Sequence, residues 1–326
     1  MINKKIKPLS VVSFFCGCGG FDIGFQGDFV YREKHYSKLP FNVIAAYDFD
    51  KPCVDTYNKN LTPVAQQMDL GNADINELPY ADILAGGFPC QDFSLCGPLK
   101  GLDSDRGKLY LSMKRYMHIH KPKFVIGENV LNLLRINNGE TIKTILSDFE
   151  EEGYKFTVWT MHAKNYGVPQ MRIRIIIVGV RNDIYEKYGF PVQPKEEKEI
   201  KTIEWAIGDL IDVTDETVPN QSQYFRAAKT PGNGVQGDET SKRDCPAYTV
   251  RANSRSHIQF HYELPRRLTV RECARIQTFP DSYVFTGSIT TNTRQIGNAV
   301  PPVLAYKVGQ ALKDYLTEFK EDLSND

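Results

Sequence analysis

The chain has 326 residues, with 40 Lys and Arg against 40 Asp and Glu and therefore no net charge when its histidines are neutral. This length supports one large domain plus a smaller one, and the charge balance excludes indiscriminate coating of nucleic acid while leaving a local basic cleft open. No apolar run approaches the about 18 residues of a membrane span, the basic residues 1–7 lack the apolar stretch of a secretory leader, and seven cysteines suit a reducing cytosol better than a disulfide framework.

The first apolar run, residues 9–15, has strand length and leads into Phe15-Cys16-Gly17-Cys18-Gly19-Gly20-Phe21, where a helix opens. Closely spaced glycines let the backbone approach a ligand, and the free N–H groups of a helix start attract polar groups. The dinucleotide fingerprint G-x-G-x-x-G does not fit, because Gly20 arrives one place early; a bare glycine turn also serves as a tight turn and nothing more. Cys16 and Cys18 have no matching Cys or His pair nearby, so no zinc site is expected. A second run, residues 42–47, ends at Asp48. Its carboxylate can accept two hydrogen bonds from a ribose diol, and equally can cap the helix expected around residues 51–57. Asp69, in Met68-Asp69-Leu70, fits a contact with an adenine amino group. Glycine turn and two acids in this order suggest an adenosine cofactor, with NAD and S-adenosylmethionine both open.

The third run, residues 81–85, is bounded by Gly86-Gly87 and reads as a buried parallel strand. Phe88-Pro89-Cys90-Gln91-Asp92-Phe93-Ser94 follows at its carboxyl end, where open α/β sheets place their ligands. A thiol there can be reached by substrate as a nucleophile, although free Cys is also among the most buried residue types. Residues 123–127 lead to Glu128-Asn129-Val130, whose carboxylate should face the same sheet edge as Cys90. A thiol and an acid so placed suit addition to an electron-poor ring, the acid protonating a ring nitrogen as the thiol adds to carbon. Glu128 equally suits a helix N-terminus. Runs at 156–160 and 174–180 continue the series, and Gln170-Met171-Arg172-Ile173-Arg174 precedes the latter. Alternation puts Arg172 and Arg174 on one side, ready for two charge-assisted contacts or simply for solvent. Strands alternating with helix-length segments predict an α/β fold, a mostly parallel, doubly wound, Rossmann-like sheet.

The pattern breaks after Val180. Residues 181–219 hold five Lys and Arg against ten Asp and Glu, whereas residues 220–265 hold six against four. Helical spacing returns after Arg266-Arg267 with Leu268, Val270, Cys273, Ala274, Ile276 and Gln277. Arg294-Gln295-Ile296-Gly297-Asn298-Ala299-Val300 supplies a turn, and Pro301-Pro302 opens a last helix with Leu304, Val308, Ala311, Leu312 and Tyr315 on one face. The expected organisation is a catalytic and cofactor-binding domain at 1–180, a smaller irregular domain at 181–265, and a returning segment at 266–326 whose last helix packs on the catalytic domain.

Six motifs in this order resemble the cytosine-C5 DNA methyltransferases over most of the chain: residues 15–20, Pro89-Cys90-Gln91, Glu128-Asn129-Val130, residues 170–174, residues 266–277 and residues 297–301. The resemblance implies the methyltransferase form of the fold, with S-adenosyl-L-methionine as cofactor and S-adenosyl-L-homocysteine as product, and no metal. It makes Cys90 the nucleophile on C6 of a flipped cytosine, Glu128 the group that holds N3 and the exocyclic amine, Arg174 the contact to the target base, and Arg172 its partner near the phosphates. Phe15, Gly17, Gly19, Gly20, Asp48, Asp69, Leu70, Pro89, Asn298 and Val300 take cofactor positions. Asp48 stands where the family usually has Glu; the shorter side chain can still bind a diol. Gln91 and Ser94 fall in the loop that closes on DNA.

Residues 181–265 become the target-recognition domain, short as in monospecific bacterial enzymes of restriction–modification systems, and Pro246-Ala247-Tyr248-Thr249-Val250 resembles its threonine-containing strand. Arg226, Lys242, Arg243, Arg251 and Arg255 are candidates to reach DNA, arginine favouring guanine in the major groove. The expected partner is double-stranded DNA, with functional pairing to a restriction endonuclease but no stable complex. A cytoplasmic monomer without membrane contact is expected. The alternatives are a tRNA cytosine-C5 methyltransferase, a catalytically inactive DNA-binding homologue and, remotely, a nicotinamide dehydrogenase.

Overall fold

Leu9–Phe14 (β1) has Val11, Val12, Ser13 and Phe14 all buried, as a strand covered on both faces requires. The computed structural model of the chain describes residues 7–89, 109–225, 239–252 and 259–318. After β1 the chain runs through α1 (Gly20–Gln26), a hairpin of β2 (Phe29–Tyr31) and β3 (Lys34–Tyr36), β4 (Phe41–Asp48), α2 (Lys51–Asn60), β5 (Ala65–Gln67) and β6 (Ile83–Gly86). It continues through α3 (Tyr110–His120), β7 (Phe124–Val130), α4 (Glu140–Glu150), β8 (Tyr154–His162) and β9 (Ile173–Arg181). One seven-stranded sheet has the order β5-β4-β1-β6-β7-β9-β8. The five strands from β5 to β7 are parallel, whereas β9 is antiparallel to both β7 and β8. The runs at 156–160 and 174–180 are therefore not further crossover units. Only residues 163–172 join them, too few for a parallel crossover of a dozen or more residues. The hairpin β2–β3 and strand β5, each strand three residues long, carry too little alternation to be read from the sequence.

Val11 and Val12 point into different cores, one filled from α1 and α9 (Pro302–Glu318) and the other from α3 and α4. The first includes Phe25, Leu304, Val308 and Leu312, and the second Met113, Tyr116, Ile145 and Phe149. The helix expected to open at Pro301-Pro302 is present, and Leu304, Val308, Ala311, Leu312 and Tyr315 are all buried. Between β9 and residue 265 lie α5 (Asn182–Tyr188), α6 (Ile203–Ile207) and the two-residue strands β10 (Glu239–Thr240) and β11 (Gln259–Phe260). The threonine-containing strand expected at 246–250 is a single parallel bridge of Ala247 to Gln170. Met171 N–H donates to Ala247 O (2.8 Å) and Ala247 N–H to Pro169 O (2.9 Å), docking this segment on the chain that enters β9. Then come α7 (Val270–Ile276) and α8 (Ile289–Asn298). Among the described residues no helix is long and apolar enough to cross a membrane.

Candidate active site

Strand register brings the motifs to one edge. Phe14 lies beside Tyr47 on β4 and Gly86 on β6, and Gly86 beside Gly127 on β7. Because β9 runs the other way, its first residues reach the same edge, Arg174 lying opposite Val130. The chain therefore leaves β1 at Phe15, β4 after Asp48 and β6 at Gly87 side by side, and Glu128 lies next to them in the last residues of β7.

Phe15 turns out of β1 with φ +54°, a conformation that side chains rarely adopt and that the surrounding packing must hold. Gly17 also has positive φ (+54°), and a Cβ built on it meets nothing within 4 Å. Open space against the backbone at that point is what a ligand needs. Gly19 and Gly20 instead pack against protein. A Cβ on Gly19 would lie 2.7 Å from Leu61, and one on Gly20 would lie 2.5 Å from the carbonyl oxygen of Val300. The Gly19 N–H is already bonded to Cys16 O (2.9 Å). These two glycines shape the turn, while Gly17 opens it.

Asp48 accepts from Gly17 N–H (2.8 Å) through Oδ2 and from Asp50 N–H (2.9 Å) through Oδ1. It does not cap α2; Asp50 occupies that position and makes no side-chain cap bond. Burial pushes the Asp48 carboxyl up, and the backbone N–H bonds oppose the shift. Asp69 is exposed, its oxygens holding Gly71 N–H (3.0 Å) and the Asn72 amide (2.8 Å), and Leu70 is buried. Asn298 is exposed and Val300 buried at the end of α8. Phe49 was not anticipated. At 71% exposure directly after Asp48, it leaves an aromatic ring bare at this edge, and its place after the strand-end acid was the available signal.

Cys90, Gln91, Ser94, Arg226 and Arg255 lie outside the described residues; Pro89, which precedes Cys90, is half-buried. Cys16, Cys18, Cys53 and Cys273 are buried. Burial pushes each thiol up, Cys18 and Cys273 to about 12, so none of these four is an activated nucleophile. The Asn129 amide donates to Phe88 O (2.9 Å) and fixes the backbone two residues before Cys90. The motif Glu-Asn-Val pointed to that residue, but only the structure gives it this role. A Cβ on Gly87 would lie 3.4 Å from Glu128 Oε2, so the carboxylate stands directly against the same stretch of chain.

Arg174 Nε lies 2.8 Å from Glu128 Oε1, and each side chain is 12% exposed. The N–H is not aimed at that oxygen, which stays buried without a hydrogen-bond partner. Among the described residues no donor fills this acceptor, which leaves it able to take one from a bound molecule. Arg172 corrects the expectation of a phosphate contact. Its guanidinium is buried and donates to three carbonyls, Val250 (3.2 Å), Gly297 (3.0 Å) and Ala299 (3.0 Å), so it serves the fold. Burial, with Arg174 adding, pushes this guanidinium down, and Glu128 opposes the shift.

Of the recognition candidates, Lys242 is exposed. Arg251 is 42% exposed and only loosely paired, 3.8 Å from Glu239. Arg243 is otherwise engaged. It pairs with Glu204 (3.1 Å) and Glu263 and lies over the Tyr262 ring, so it could reach DNA only by giving up these exposed partners.

A model of the C-5 cytosine-specific DNA methylase family matches residues 9–314. The Type II methyltransferase M.FnuDI of Fusobacterium nucleatum is 32% identical over 95% of this chain and 96% of its own length. The Type II methyltransferase M.NgoFVII of Neisseria gonorrhoeae is 33% identical over 93% and 87%. The fold is similar to that of the Entamoeba histolytica methyltransferase EhMeth, with a TM-score of 0.72 at 16% identity over 97% of this chain and 100% of the other. For the S. pombe Dnmt2 methyltransferase the TM-score is 0.68 at 17% identity, over 95% and 99%.

Proposed function

Because the chain belongs to the C-5 cytosine-specific DNA methylase family and is a DNA (cytosine-5-)-methyltransferase, we propose that it works through Cys90, Glu128 and Arg174 on a cytosine flipped out of a short duplex site. The observation that carries this assignment is the open acceptor of Glu128, buried beside Arg174 and against the Gly87 end of the nucleophile loop. A carboxyl at that point can hold N3 and the exocyclic amine of cytosine. Arg174 orients it and offers positive charge to the base. The Cys90 thiolate then forms a bond to C6, which makes C5 nucleophilic. After C5 is methylated, a base removes its proton and the electron pair expels the thiolate. The base must leave the stack for any of this, since C5 and C6 cannot be reached within the duplex.

S-adenosyl-L-methionine, when bound, supplies an electrophilic methyl group and is released as S-adenosyl-L-homocysteine. The residues present fit it: open space at Gly17, the Asp48 carboxylate at the strand end, and Phe49, Asp69 and Asn298 all exposed. Asp48 would take the ribose diol, Phe49 a face of the adenine and Asp69 its amino group, with Phe15, Leu70, Pro89 and Val300 completing the walls. In this reading Arg251, Lys242, Arg226 and Arg255 meet DNA, and Gln91 and Ser94 close on it. The same reading makes the protein a cytoplasmic monomer, paired in function with a restriction endonuclease but not bound to it; the Type II methyltransferase names of its relatives support the functional pairing alone.

The test incubates the protein with S-adenosyl-L-methionine and unmethylated genomic DNA and reads 5-methylcytosine at base resolution. Methylation confined to one short motif is expected. The Cys90→Ala protein should lose methyl transfer and keep its affinity for S-adenosyl-L-homocysteine; undiminished turnover would sink the covalent mechanism.

A further inference from the structure

Two buried amides and a buried guanidinium join the recognition segment to the turn at residues 298–300. The Val250 N–H donates to Gln170 Oε1 (2.9 Å), and Gln170 Nε2 donates to Gln277 Oε1 (2.6 Å). Gln277 Nε2 in turn donates to Ala299 O (2.5 Å). Arg172 runs in parallel, holding Val250 O and the carbonyls of Gly297 and Ala299. Both polar groups of the Val250 backbone are thus held from the entry to β9, and Ala299 O receives both lines. The two segments also touch directly, since a Cβ on Gly297 would lie 2.3 Å from Ala252 N and from the Arg251 carbonyl carbon. On its other side the turn meets the cofactor loop at Gly20. Thr278, next to Gln277, is a β-branched residue with φ +68°, and its hydroxyl accepts from Val303 N–H (3.0 Å). A strained backbone held this firmly fixes where the Gln277 amide points.

We propose that Gln277 is a positioning residue that couples the cofactor site to the recognition segment, so that ligand bound beside residues 298–300 stiffens the backbone at Val250. The inference rests on the cofactor assignment above. Gln277, Gln170 and Arg172 are buried, so their hydrogen bonds act at low dielectric and a displaced partner is costly. Ordering the turn therefore orders what hangs from it, which is coupling without a change of shape.

The experiment measures amide exchange over residues 247–252 with and without S-adenosyl-L-homocysteine, whose binding is confirmed by calorimetry. It needs no knowledge of the DNA site. Exchange at Val250 should slow about fivefold in the wild-type protein on ligand binding, the lower end of ordinary coupling. In Gln277→Met it should change less than about twofold although the ligand still binds. A purely structural role would alter exchange equally in both states and leave its ligand dependence intact. Gln170 Nε2 keeps a bond to Ile276 O (3.3 Å) in that variant, which limits the damage. Should Gln277→Met not fold, Arg172→Lys reads the parallel line and should lose part of the slowing. No slowing in the wild type with ligand bound, or full slowing in the folded variants, overturns the proposal. No binding at all takes down the cofactor assignment and this inference with it.

Discussion

At the scale of single residues, Gly17 and Gly20 separate two reasons for a glycine that a motif merges. Gly17 needs its left-handed backbone, and a side chain there has room; at Gly20 the Val300 carbonyl leaves none. Gly17→Ala should cost about 1–2 kcal/mol of stability, and Gly17→Asn should recover much of it, since Asn tolerates that conformation. Gly20→Ala should cost about 1–3 kcal/mol through overpacking, and Gly20→Asn more. Urea unfolding midpoints decide this, and equal losses for Asn at both positions would refute the distinction. Asp22 went unread, because nothing in a helix's first turn says that an acid is buried. Its Oδ1 accepts from the Ser13 hydroxyl (2.8 Å), and burial pushes its carboxyl from 3.8 up to about 6. The folded pKa lies above the unfolded one, so the folded chain holds an extra proton between these values. The burial penalty is absent below that window and complete above it, amounting to about 3 kcal/mol. Asp22→Asn carries no such penalty. Its stability relative to wild type should rise by about that amount between pH 4 and pH 7, and a difference flat with pH would rule the burial penalty out.

At the scale of elements, continuous apolar runs of strand length located β1, β4, β6, β7 and β9, and apolar residues at helical spacing located α9. Neither signal could give the direction of β8 and β9, which depends on the length of a connection. Helical spacing also located α7, but it could not say that all seven residues are buried although Arg271, Glu272 and Arg275 are charged. Apolar Val270, Cys273, Ala274 and Ile276 mark one face; the charged residues are buried because partners on the flanking turns and on the segment at 209–219 satisfy them. Arg266 and the Thr269 capping box hold Glu272, and Asp209 and Asp281 hold Arg275. Arg271 donates to Pro219 O (2.7 Å), Pro280 O (2.9 Å) and Tyr283 O (2.6 Å). A planar fork reaches three separated carbonyls where an ammonium on one nitrogen cannot. Arg271→Lys should therefore destabilise the protein by about 2–4 kcal/mol, each stranded carbonyl costing about 1–3. Linear extrapolation of urea unfolding measures it, and a loss under about 1 kcal/mol would mean that Lys serves as well.

At the scale of the whole molecule, the absence of net charge constrains how DNA is held. No global field draws the duplex in, so attraction must come from local groups of cations, for which the proposed recognition segment is the candidate. The sequence supplied five candidates but not their partners, and partners decide availability. Arg243 is spent on Glu204 and Glu263, whereas Arg251 is nearly free, and Lys242, Arg226 and Arg255 stay in contention. Each phosphate neutralised contributes about −0.9 to the slope of log K against log salt, so four contacts give a slope no steeper than about −4. Titrating a duplex that carries the mapped site across salt concentrations should return that shallow slope. Arg243→Ala should leave it unchanged. Arg251→Ala should either flatten it by about 1, as for a phosphate contact, or keep it while relaxing the preference at one base pair, as for a base reader. A slope much steeper than −4 would mean that further phosphate contacts lie outside these four cations, on the catalytic domain.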